Sequence, residues 1–65
     1  MDIQVAWQNL VSAIEQGLWG EASEIADDVL EWLAKDGLPP TIIGKPFVDK
    51  LIAKALAESV AGWDV

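Results

Sequence analysis

Apolar residues return every three or four positions along three stretches of this chain, and glycine or proline stands between the stretches. That period belongs to an α-helix with one covered face, because side chains three and four apart share one side of a 3.6-residue turn. The spacing predicts an all-α, three-helix domain over residues 2–18, 20–36 and 46–61. Short connections make neighbouring helices antiparallel. The architecture expected is therefore an antiparallel helical hairpin with a third helix packed across it.

In the first stretch Ile3, Ala6, Trp7, Leu10, Val11, Ala13, Ile14 and Leu18 fall on an arc of about 160° at 100° per residue, with Gln4, Gln8, Asn9, Ser12, Glu15 and Gln16 opposite. Asp2 is placed to cap the first backbone N–H groups, and Gly17 to open the turn. In the second stretch Ala22, Ile25, Ala26, Val29, Leu30, Trp32 and Leu33 share a similar arc. Glu21 and Glu24 suit the first turn and Lys35 the last, where the helix dipole favours each sign. Gly37 is expected in the left-handed conformation after the helix, with Leu38 folded back onto Leu33 and Pro39-Pro40 forbidding continuation.

Thr41-Ile42-Ile43 reads as a tethered loop, and Pro46 as the first residue of the third helix, where a missing N–H costs nothing. There Phe47, Val48, Leu51, Ile52, Ala55, Leu56 and Val60 make a broader stripe than either earlier helix carries, opposite Lys50, Lys54 and Glu58. A stripe that wide predicts cover on two sides: the helical hairpin on one, and the connector or a second subunit on the other.

Size sharpens that expectation. A chain of 65 residues supports a core worth about 3–5 kcal/mol net. Without cysteine it cannot form a disulfide, and without histidine or cysteine it lacks the usual zinc ligands. Four tryptophans and a mean hydropathy of +0.28 leave more apolar surface than one 7.0 kDa globule readily covers. A homo-oligomer or a second protein is the partner this implies. No apolar run approaches the roughly 18 residues of a membrane span. Met1-Asp2-Ile3-Gln4 lacks the basic start of a signal peptide, so a cytoplasmic location is expected.

The run from Gln16 to Ala26 (Gln-Gly-Leu-Trp-Gly-Glu-Ala-Ser-Glu-Ile-Ala) resembles the middle of a tetratricopeptide-type helical hairpin, with Gly17, Trp19, Ala22 and Ala26 matching in kind. The resemblance implies a packing geometry: a turn glycine, and small residues where two helices cross. It does not imply peptide binding, because such solenoids need about three repeats and the third helix does not repeat the first. The run from Ala34 to Pro40, closing the hairpin, is similar in style to the small acidic helical proteins of phage and environmental genomes.

Charge is divided unevenly. Residues 1–36 hold eight acids and one lysine, whereas residues 37–65 hold three of each. Glu21, Glu24, Asp27, Asp28 and Glu31 share a face of about 120° on the second helix. That face reads as a solvated surface, with a dock for a basic partner as the alternative. The i,i+4 pairs Asp27/Glu31 and Glu24/Asp28 carry no histidine partner and no calcium-loop pattern, so no metal and no cofactor is expected. The four lysines fall on polar faces or in loops, which argues against a nucleophile, and no enzyme activity or small-molecule substrate is expected. The net charge of −7 opposes direct contact with nucleic acid or anionic lipid. The expected function is a small non-catalytic interaction module that self-associates through Leu56 and Val60 of the third helix and through Trp19 and Trp63. The alternative is an acidic decoy that sets Asp27, Asp28 and Glu31 against a basic site on a nucleic-acid-binding protein.

Overall fold

Three helices, α1 (Ile3–Glu15), α2 (Trp19–Ala34) and α3 (Pro46–Ala61), form in a computed structural model that describes residues 1–63. The all-α, three-helix expectation holds. α2 is the middle element and packs against both neighbours.

Asp2 caps α1 as expected. Its backbone is extended, and Oδ1 accepts the N–H groups of Gln4 (3.1 Å) and Val5 (3.3 Å). Such a cap is worth about 1 kcal/mol. α1 stops three residues short of the expected end because its closing turn begins inside the apolar period. Gly17 takes φ +73° and donates to the Ile14 carbonyl (3.1 Å), while Leu18 N–H reaches back to Ala13 (2.9 Å). This paired closure satisfies carbonyls that the helix leaves without partners. Leu18 therefore sits at the N-cap of α2 rather than on α1.

The same closure ends α2, two residues earlier than expected. Asp36, not Gly37, is the left-handed residue (φ 60°); its N–H bonds to the Leu33 carbonyl (3.2 Å) and that of Gly37 to Trp32 (3.0 Å). The glycine at 37 answers a different need. A Cβ there would overlap the Trp32 indole and its carbonyl. The indole lies against this bare backbone and donates its N–H to the Leu38 carbonyl (2.8 Å). Leu38 does not fold back onto Leu33; its carbonyl is turned to the helix and its side chain is 77% exposed.

The core gathers Trp7, Leu10 and Ala13 of α1, Ala22, Ala26, Val29 and Leu33 of α2, and Ala53, Ala57 and Val60 of α3. Full burial of a Leu or Val side chain contributes about 1.5–3 kcal/mol, so Leu10, Val29 and Val60 carry much of the apolar stabilisation. Both α2 and α3 bury alanines. Ala22 and Ala26 on one helix, and Ala53 and Ala57 on the other, are fully buried at i,i+4 spacing. Interaxial distance depends on side-chain size at the crossing, and small buried residues on both helices permit a close approach.

The connector is more than a tether. Pro40 is buried and Ile42 packs on the core. The Gln4 side-chain amide pairs with the Thr41 backbone in both directions, accepting its N–H (2.7 Å) and donating to its carbonyl (3.2 Å). The Cα radius of gyration is 10.7 Å, close to the about 11 Å of a well-packed chain of this length. Apolar exposure on α3 is therefore not the slack of a loose fold.

Candidate interaction surface

α3 is rotated relative to the expectation. Its covered face consists of Asp49, Ala53, Ala57 and Val60, with Leu56 half-buried beside them. Its largest apolar side chains point outward: Phe47 is 77% exposed, Leu51 54% and Ile52 36%. The wide stripe read in the sequence is split. Leu56 and Val60 go to the core, and Phe47, Leu51, Ile52 and Ala55 go to the outside with Val48 at the edge.

Asp49 sets this rotation. Its carboxylate is buried and reaches back over the first turn of α3 to the connector. Oδ1 accepts Ile43 N–H (2.8 Å) and Oδ2 accepts Gly44 N–H (3.2 Å). Neither Lys45 at the N-cap nor Pro46 after it supplies a capping side chain, so Asp49 does the capping from inside the helix. Burial alone would push its pKa up. The N–H groups of Ile43, Ile42, Gly44 and Lys45 outweigh that cost and hold it below the ordinary aspartate range. Once Asp49 faces the connector, a 100° step per residue places Ala53, Leu56, Ala57 and Val60 on the same side and sends Phe47, Leu51 and Ala55 to the opposite one. Sequence reasoning passed over Asp49. The available signal was an acid four residues after Lys45, one position beyond the capping-box site, in the first turn of a helix that Lys45 and Pro46 leave without a side-chain cap.

Trp19 and Trp63, expected as contact residues, meet each other. Their rings pack edge to face with centroids 5.0 Å apart and planes at 88°, a geometry worth about 0.5–1.5 kcal/mol beyond area burial. Beside them the buried Ser23 hydroxyl donates to the Ala61 carbonyl (3.0 Å). These contacts join the start of α2 to the end of α3. About half of each tryptophan remains exposed. Val60 is fully buried and presents nothing to a neighbour, and Leu56 leans on the core.

At the other end of the same helix pair, Leu30, Leu33, Ala34, Asp36, Lys50 and Lys54 line a groove of about 280 Å³. Asp36 and Lys54 are exposed there and Lys50 is half-buried. Among the described residues no buried side-chain nitrogen or oxygen lacks a hydrogen-bond partner, so no orphan polar group points to a missing ligand. Asp27, Asp28 and Glu31 lie on the exposed side of α2 with Glu21 and Glu24. Glu31 pairs with Lys35 at 2.9 Å, and that hydrogen bond, with the lysine's charge, lowers its pKa. No three acids among the described residues converge as a metal site would require. No helix among them is long and apolar enough to cross a membrane. No protein-family model matches the chain, and no curated protein or solved structure gives a significant match.

Proposed function

We propose that this chain is a small non-catalytic interaction module whose partner is a second copy of itself, docked through the outer face of α3. The observation that carries this reading is the facing of α3: Phe47, Leu51 and Ile52 stand outside while Asp49, Ala53, Ala57 and Val60 face inward. Large apolar side chains grouped on one exposed face mark an association site. Charge supports a like partner. The half of the chain that includes α3 is balanced at three acids and three lysines, while the −7 resides in residues 1–36, and the acids of α2 are exposed to solvent. Contact between two copies through α3 therefore brings together the half of each chain that carries no net charge. A cytoplasmic setting belongs to the same proposal and fits the lack of cysteine.

Sedimentation across micromolar concentrations tests it. A mass well above 7.0 kDa is expected, falling to that of the monomer for Leu51→Glu; a monomer at every concentration overturns it. A second reading, an acidic decoy for a basic protein site, draws on the exposed acids Asp27, Asp28 and Glu31. It requires binding to a basic partner that weakens steeply with salt and is abolished by Asp27→Lys with Glu31→Lys.

A further inference from the structure

Of the aspartates in this chain, Asp36 alone is followed by glycine. It is exposed, lies beyond the end of α2 and takes φ 60°. An aspartate before glycine is open to attack by the next backbone nitrogen, because glycine has no Cβ to shield it. The fold acts on that nitrogen directly. Gly37 N–H donates to the Trp32 carbonyl (3.0 Å), the Trp32 indole lies against the Gly37 backbone, and the indole N–H holds the Leu38 carbonyl (2.8 Å). One residue thus fixes the Asp36–Gly37 linkage at three points. We propose that Asp36 is a site of spontaneous isoaspartate formation and that Trp32 gates the reaction. The Gly37 nitrogen attacks the carbon of the protonated Asp36 side-chain carboxyl. The new N–C bond closes a succinimide ring, and the carboxyl OH leaves with the amide proton as water. Water then opens the ring. Breaking the new bond returns aspartate, whereas breaking the original peptide bond leaves the chain running through the side-chain carbonyl. One water leaves and one enters, so the mass is unchanged and no other reactant is consumed. The backbone gains the Cβ methylene, which carries Gly37 out of register with the indole and carbonyl that hold it. The attack needs a nitrogen released from its hydrogen bond, so in the folded chain it waits on local opening of the end of α2.

The whole chain is incubated in heavy-oxygen water at mildly acidic pH, folded and in guanidinium chloride. Mass-spectrometric fragmentation after proteolysis locates isoaspartate, and each ring opening leaves one heavy oxygen as a marker. In guanidinium Asp36 is expected to be the main site, and its absence there overturns the site. The folded chain is expected to convert roughly tenfold more slowly or less, a factor equivalent to one hydrogen bond broken before the attack; equal rates overturn the protection. Trp32→Phe keeps a ring but removes the indole N–H, and is expected to convert several-fold faster than the parent. Ala57→Leu is the control, because it perturbs the other end of the α2–α3 pair, where Ser23 meets Ala61. The two variants are compared at guanidinium concentrations that give them equal global stability. Equal conversion overturns Trp32 as the gate, as does a Trp32→Phe rate no higher than that of the parent. Hydrogen exchange at the Gly37 amide of the parent tests the gate even where Trp32→Phe fails to fold. Slowed exchange is expected, and exchange at the free-chain rate overturns the proposal.

Discussion

α2 and α3 are the same length, sixteen residues each, and pack on one another, yet they sort their side chains in opposite ways. α2 follows the ordinary rule: Val29 and Leu33 lie inside and its acids lie in water. α3 keeps two alanines, Val60 and a carboxylate inside and sends Phe47 and Leu51 out. The difference teaches that apolar residues on a helix mark what can be buried, not what is. On α3 two other demands decide the facing side. The connector needs an acceptor for its N–H groups, which Asp49 supplies, and the buried positions that share its side are mostly small, Ala53 and Ala57 with Val60. An Asp49 turned to water would leave those backbone donors without a partner inside the protein.

The contrast can be broken at several points. The largest effect is expected for Leu33→Ala on the covered face of α2, a loss of about 2–5 kcal/mol, which approaches the whole stability of a domain this size. Thermal or urea denaturation followed by circular dichroism measures it. Retention of most of the stability would mean that α2 does not anchor the core. Next is Ala57→Leu, which adds apolar bulk at a fully buried position of α3. Overpacking there is expected to cost about 1–3 kcal/mol; a stabilised variant would show that the α2–α3 contact has room and that alanine is not required.

Asp49 gives a smaller effect with a pH signature. Its folded pKa is depressed, so its contribution to stability is fully present above the ordinary aspartate value of about 4. The contribution is lost as pH falls through the lower folded value. Asp49→Asn removes the charge while keeping the shape. It is expected to be less stable than the parent at neutral pH and to lose less stability between pH 5 and pH 2. Denaturation midpoints over that range check this, and parallel pH profiles for the two proteins would contradict the role given to Asp49. The smallest effect on folding is expected for Leu51→Ala, within about 0.5 kcal/mol at protein concentrations where the chain is monomeric. Equal losses for Leu33→Ala and Leu51→Ala would erase the distinction between the two helices.

Where the sequence reading succeeded, one signal acted alone. The α1 and α2 faces follow from apolar period, since the polar residues with tertiary partners there, Gln4 and Ser23, lie at or beside the covered faces. The start of α3 follows from Pro46, and the cap of α1 from Asp2. The errors are equally specific. Gly37 was read as the left-handed residue, but Asp36 can adopt that conformation too, and the glycine was needed under the Trp32 ring. Leu56 and Val60 were read as contact residues because they belong to the α3 stripe, and nothing in the period says where a stripe of more than half the circumference divides. The Trp19–Trp63 contact joins residues 44 positions apart in the chain, and no local rule links them.

By itself the sequence determined that three amphipathic segments form, where they break, and that disulfide and cysteine-based zinc chemistry are excluded. Each of these depends on residues within a few turns of one another, or on residue types being absent altogether. Only the tertiary structure decided which side of α3 faces α2. That choice weighs the hydrogen bonds of a distant connector and the girth of a neighbouring helix against the pull of apolar burial, and those terms exist only once the three segments have met.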